Sequence, residues 1–277
     1  MEILVLDIAQ SPTQIPIMTH PAVRHIYRPH CRSYSEAKVI ALRQARTGIV
    51  AFIEDHARPE PGWAEAVLEA FTDGVGSVVY TYCNLNPRNR VSRSFMLHAY
   101  GRWMDSRFSG KVTDGPANNI AYRLQALEGL EDRLSSYFDI EYNLHQWLQR
   151  QQWRMMKSAK AVVAHENFVT LRQALYDIHV HSQLLAVRRA TLGNWSLFRR
   201  MIYAAGMGLM PPLHMWRLAR RVWQNKALRA EYLKLLPFLT LFAIQSALSE
   251  GIGYYHVSAA LGSMVMANET RIIRDPK

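Results

Sequence analysis

A chain of 277 residues, 49% hydrophobic and 20% charged, is long enough for one large domain or a domain with a substantial appendage, and its composition excludes disorder or low complexity as the main state. Two cysteines, Cys31 and Cys83, exclude a disulfide scaffold and a cysteine-built zinc module, and they fit a reducing compartment. The 33 Lys and Arg against 22 Asp and Glu leave a net charge of +11, which calls for an anionic partner, either nucleic acid or a membrane surface.

The opening Met1-Glu2-Ile3-Leu4-Val5-Leu6-Asp7 has neither the basic start nor the apolar length of a signal peptide. It reads as a strand over 3–6 that ends in a carboxylate. Short β-branched runs predict further strands at 23–27, 49–53, 77–82, 120–122 and 161–164. Between them, residues 35–46 place Ala37, Ile40, Ala41 and Ala45 at helical spacing behind a serine cap. Pro61-Gly62-Trp63 opens a second helix, with Ala64, Val67, Leu68 and Phe71 on one face. Strands alternating with helices predict an α/β fold, a mostly parallel sheet flanked by helices, over residues 1–172. Ligands of such sheets sit beyond the carboxyl ends of the strands.

One strand end stands out. The run 49–53 leads directly into Glu54-Asp55-His56, three polar side chains that can each ligate a metal. Carboxylates at the end of a buried strand repel one another and lose solvation unless a cation or a hydrogen-bond network compensates. Oxygen ligands with open positions suit Mg²⁺ or Mn²⁺, which bridge protein carboxylates and substrate phosphates. The other reading is a solvated loop in which His56 caps the next helix.

From about Leu192 the strand pattern stops, and residues 173–277 are expected to form a helical, basic and aromatic region. Ten cations lie between Arg188 and Lys234 against Glu231 alone. Trp195, Phe198, Trp216 and Trp223 are interleaved with Met201, Met207, Met210 and Met215, and this apolar bulk favours a lipid interface over a phosphate groove. The apolar run 235–248 measures only about 21 Å as a helix, short of the ~30 Å hydrocarbon core. Helices lying on an anionic membrane surface, or a surface between copies of the chain, are therefore expected, at the cytoplasmic face, peripheral or monotopic.

The stretch ALRQARTGIVAFIEDHARPEPGWAEAV resembles the metal-binding segment of family 2 glycosyltransferases of the GT-A fold, in which a strand ends in Asp-x-Asp ahead of a Pro-Gly-Trp helix start. Two later stretches agree in order. DGPANNIAYRLQAL is similar to the family's Gly-x-Asn-x-x-Tyr/Phe-Arg segment in the acceptor region, and FDIEYNLHQWLQRQQWRMMKSAKAVVAHEN to its Glu-Asp-x-x-Leu helix, following strand and closing histidine. The resemblance covers roughly residues 1–167. It implies a nucleotide-sugar donor, a saccharide or lipid-linked acceptor, and inversion at the transferred sugar. It places Glu54 and His56 at the two metal-motif positions, with Asp55 between them, and His165 at the closing metal-ligating position. Glu141 takes the place of the general base, with Asp139 as competitor. Asn119, Tyr122 and Arg123 fall in the acceptor region, and Asp7, Lys38 and Asp55 on the donor nucleotide. The family's sheet begins with a strand and helix ahead of the strand matched by 3–6, so a domain short of that unit is expected.

Overall fold

In a computed structural model, the structure describes residues 1–9, 11, 12, 19–31, 33–116, 118–139 and 141–255. The chain opens with strands β1 (Ile3–Asp7) and β2 (Val23–Tyr27), which pair in parallel as a sheet of their own. Helix α1 (Tyr34–Gln44) follows, capped by Ser33, whose Oγ accepts the Glu36 N–H. Then come β3 (Ile49–Ala51), β4 (Ala57–Pro59), α2 (Trp63–Ala70) and the ten-residue strand β5 (Val75–Asn84). Gly62 starts α2 at φ 80°, a left-handed conformation that glycine adopts without a Cβ penalty. Next are α3 (Arg90–Tyr100), β6 (Gly110–Val112), β7 (Ile120–Arg123), α4 (Leu134–Asp139), α5 (Glu141–Arg150) and β8 (Arg154–His165). Four helices complete the described chain: α6 (Leu171–Leu192), α7 (Leu197–Gly206), α8 (Met210–Val222) and α9 (Lys226–Tyr255).

The main sheet has the order β3-β7-β5-β8-β4, with β6 also paired to β8. It is mixed, which corrects the mostly parallel sheet expected from the strand–helix alternation. Within it β5 and β8 run parallel, while β7 opposes both β3 and β5, and β4 and β6 oppose β8. A parallel pair needs a crossover connection. Among the described residues no helix intervenes between β3 and β4 or between β6 and β7, so the helices that do occur cannot impose one direction on every strand.

Burial on the two faces of β5 fixes the layers, because successive side chains of a strand point to opposite sides. Val79, with Ile120 and Tyr122, packs under α1, α4 and α5 through Leu42, Phe138, Leu144 and Leu148. Val78 and Tyr80, with Ala121 and Val163, pack under Trp63, Ala66 and Val67 of α2. Each such side chain contributes roughly 1.5–3 kcal/mol on leaving water.

Helices α6–α9 share a core with α3. Leu97 joins Leu218, Val222, Leu235 and Leu239, and Phe95 joins Phe168, Ile178 and Phe242. Helix α9 contacts α3, α6, α7 and α8. Among the described residues it is the only helix long and apolar enough to cross a membrane, by length and composition, yet Tyr232, Leu235, Leu239, Phe242 and Tyr254 are buried against its neighbours. The other side of α9, with Leu241, Ile244, Leu248, Ile252 and Tyr255, stays exposed.

Candidate metal and donor site

The chain leaves β3 with the Phe52 N–H still donating to Ile120 O, which carries Glu54 to the level of the loop ahead of β7. There Asn119 grips Glu54 twice: Oδ1 accepts the Glu54 backbone N–H at 3.1 Å, and Nδ2 donates to Glu54 Oε2. Asn118 Nδ2 donates to Oε1 at 2.5 Å. The Ala57–His165 register of β4 and β8 then sets His56 beside His165, their rings edge to face with centroids 4.7 Å apart. His165 Nε2 stands 3.1 Å from Glu54 Oε2.

These contacts decide the charge of Glu54. Burial alone would push its carboxyl up, but the hydrogen bond and charge of His165, the charge of His56 and the Asn118 hydrogen bond outweigh it and hold the group at about 2. Glu54 is a carboxylate at any physiological pH.

Both imidazoles are oriented from behind. His56 Nδ1 lies 3.0 Å from Asp55 Oδ1, and His165 Nδ1 lies 3.2 Å from Asn167 Oδ1. Asn167 spends its Nδ2 on Asn84 Oδ1 and on the His165 carbonyl, which assigns its oxygen as the acceptor. Each Nδ1–H therefore donates to an oxygen, the arrangement that orients metal-ligating histidines through Nε2. For His165 this has a consequence. Its Nε2 faces a carboxylate oxygen at hydrogen-bond distance, so both atoms can turn to the same cation. Donor atoms of Glu54, His56 and His165 fall within 4.8 Å of one another. One carboxylate with two imidazoles fits a divalent transition ion such as Mn²⁺ and suits Mg²⁺, which prefers oxygen, less well.

The remaining expected site residues divide. Asp55, largely exposed, orients His56 at the mouth of the cluster. Asp7 ends β1 as anticipated, with its carboxylate on His25 Nε2 at 3.1 Å and on the Ala9 N–H. Lys38 and Glu141, expected on the donor and acceptor sides, are paired with each other at 2.9 Å, the Lys38 ammonium also lying over the Phe138 ring. Asp139 is the last residue of α4, two positions before Glu141 opens α5. Two expectations are corrected. Tyr122 is fully buried, its hydroxyl 3.1 Å from His145 Nε2, because its strand position points into the core below α4 and α5. Arg123 points the other way and donates to the carbonyls of Val75, Phe71 and Thr72, tying the turn between α2 and β5.

Sequence reasoning passed over Asn118, Asn167, Tyr100 and His145. Tyr100 brings its hydroxyl to 3.4 Å from His165 Nε2 and stacks on Tyr82. His145 accepts the Gly115 N–H on Nδ1 and meets Tyr122 on Nε2, so it holds both ends of the segment that presents Asn118 and Asn119. The doubled asparagine was the one visible signal, since two adjacent amides at a strand start serve as ready clamps for a carboxylate.

Residues 5–130 match the family described as Glycosyl transferase family 2. Among solved structures, the chain is similar to a mycobacterial protein at 17% identity and TM-score 0.44, over 69% of this chain and 64% of that one, so it spans just under two thirds of that protein's length. It is also similar to the mannosyltransferase PcManGT from Pyrobaculum calidifontis, solved in complex with GDP-Man and Mn²⁺, at 17% identity and TM-score 0.45, over 100% of this chain and 79% of that one. No curated protein matches significantly.

Proposed function

We propose, from the match of residues 5–130 to glycosyl transferase family 2, that the protein moves a sugar from a nucleotide-sugar donor to a saccharide or lipid-linked acceptor at a membrane surface, with inversion and with Mn²⁺ as the preferred ion. The observation that carries the reading is the convergence of two back-oriented imidazoles on the ionised Glu54. Glu54, His56 and His165 would hold the ion, which when bound supplies positive charge against the departing diphosphate.

The other residues act on geometry and protons. Asn118 and Asn119 hold the Glu54 carboxylate in one orientation, and Asp55 and Asn167 do the same for the two rings. Lys38 holds Glu141 Oε1, which fixes the carboxylate and leaves Oε2 to accept the proton of the incoming hydroxyl. Asp139 is the competing base. Asp7 is the proposed contact for the donor's nucleoside. The outer side of α7–α9 supports peripheral docking at the cytoplasmic face. It exposes Phe198, Leu209 and Trp216 beside cation–π stacks of Arg199 on Trp195, Arg220 on Trp216 and Arg229 on Trp223.

A second reading, a donor-binding or scaffold subunit without turnover, is favoured by one observation: Glu54 and Glu141 are already satisfied by protein partners. Titration of Mn²⁺ against a panel of nucleotide sugars, followed by thermal shift and by release of nucleoside diphosphate, separates the two. The transferase reading expects Mn²⁺-dependent stabilisation and slow donor hydrolysis, both lost in Glu54→Gln and His56→Ala. Stabilisation without hydrolysis supports the scaffold. Equal Mn²⁺ response in wild type and both variants removes the site.

A further inference from the structure

Outside the metal cluster, a groove of about 610 Å³ runs between the α7–α8 junction and the C-terminal half of α9. Its floor is made of small residues, Ala204 and Gly208 on one side and Ala247 and Gly251 on the other, and Leu248 and Ile252 stand along its wall. Among the described residues no charged side chain lines it. The α9 contribution runs from Ile244 to Tyr255 at helical spacing, a continuous stripe about 16 Å long at ~1.5 Å per residue. One leaflet of a bilayer has a hydrocarbon depth of about 15 Å, half of the ~30 Å core. Leu248 remains 62% exposed and Ile252 44%, an apolar surface that water leaves unsatisfied.

The surroundings select the occupant. At the Tyr255 end, Arg200 donates through Nε to Tyr254 O and through Nη2 to Tyr255 O, and no described residue engages its Nη1. Arg199, next to it, stacks on Trp195 and Tyr203 and meets no carboxylate among the described residues. Beyond the other end, Arg217 and Arg220 of α8 likewise form no ion pair among the described residues, and Trp216 lies under Arg220. An open apolar groove of this length, with Arg199 and Arg200 beside its Tyr255 end, complements an amphiphile with an anionic head.

We propose that this groove binds one acyl chain of an anionic membrane lipid, its phosphate held at Arg199 and Arg200. The proposal rests on the membrane-docking reading and adds a discrete, saturable lipid site to it. Gly208 offers a clean probe, since it lines the groove and a Cβ built there meets nothing within 4 Å.

The full chain is titrated calorimetrically with monomeric myristoyl-lysophosphatidylglycerol and with the matching lysophosphatidylcholine, and flotation is measured on phosphatidylcholine vesicles with and without phosphatidylglycerol. The expected result is one-to-one uptake of the anionic lysolipid, weakened about tenfold or more by Gly208→Trp and by Leu248→Ser, while flotation of both variants changes less than about twofold. Arg199→Gln should erase the preference for the glycerol headgroup and leave the phosphocholine lysolipid unaffected. Failure of the wild type to float overturns the docking reading. Flotation with no stoichiometric uptake, or with uptake indifferent to both groove variants, overturns the groove alone. Uptake seen only after residues 256–277 are removed, or a dimer that Gly208→Trp dissociates, would assign the groove to the chain's own tail or to a second copy and would also overturn it.

Discussion

Glu54 shows how a single side chain is committed by its neighbours. Its backbone N–H and both carboxylate oxygens are fixed by two consecutive asparagines, and those bonds cost the asparagines little because they sit in a loop already pinned by His145. Asn119→Ala removes a donor and an acceptor at once and leaves a buried carboxylate short of partners, so unfolding free energy should drop by about 2 kcal/mol in urea titration. Mn²⁺ affinity should fall ~10–100-fold, as expected for loss of a group that orients a ligand. His145 supplies a second prediction at this scale. Burial first, then the charge of Lys38, lowers its pKa from 6.5 to about 3. Between those values the unfolded chain binds a proton that the native ring refuses. Stability from His145 is thus complete above pH 6.5 and drains away as the pH falls toward 3, by up to about 5 kcal/mol. His145→Gln should flatten the measured dependence of unfolding free energy on pH by about one proton over that window. An unchanged slope would show that His145 already titrates normally in the folded protein.

At the scale of elements, what the sequence reveals depends on whether the information is local. Strand ends and helix starts are local, and Glu54, His56 and His165 stand out because metal-competent residues at strand ends are conspicuous in one dimension. Partnerships across 64 to 103 residues are not local: the clamp of Asn118 on Glu54 and the pairing of Lys38 with Glu141 appear only once the sheet is assembled. Strand direction is equally hidden, since a three-residue strand such as β4 or β6 pairs either way with the same composition. Tyr122 and Arg123 illustrate a third limit. Adjacent strand residues point to opposite faces, so an aromatic–basic pair cannot serve one acceptor together. Helix packing obeys comparably sharp constraints. A Cβ on Gly253 would lie 2.6 Å from Gln183 O and 2.8 Å from its Cα, both backbone atoms of α6. Gly253→Val must therefore push α9 off α6 and should cost roughly 1–3 kcal/mol, read as a lowered thermal midpoint. Gly206→Ala, whose Cβ meets nothing within 4 Å, is the matched control and should leave the midpoint in place.

For the whole molecule, the charge is partitioned by region. The sheet domain carries the Glu54 cluster and neutralises several of its cations internally, as with Arg102 on Asp114 and Lys38 on Glu141. In the stretch 188–234, by contrast, Glu231 is the only acid and is itself taken by Arg93 from outside the stretch, while Arg189 finds Glu250. Arg217, Arg220 and Arg229 have no such partner among the described residues, and two of them lie over exposed tryptophans. Unpaired cations on an aromatic surface interact weakly with water-borne anions, but at an anionic leaflet each is worth about 1 kcal/mol. Replacing Arg217, Arg220 and Arg229 together by Gln should therefore reduce affinity for phosphatidylglycerol-containing vesicles by about 3 kcal/mol, roughly 150-fold. The fold should survive, because these side chains add little to the buried core formed by Leu218, Val222 and Leu235. Binding of the wild type should weaken steeply as salt rises and shortens the ~10 Å screening length, whereas a hydrophobically anchored protein would stay bound. If the triple variant floated as well as the wild type at low salt, the basic stretch would have no part in docking and the apolar stripe of α9 would have to carry it alone.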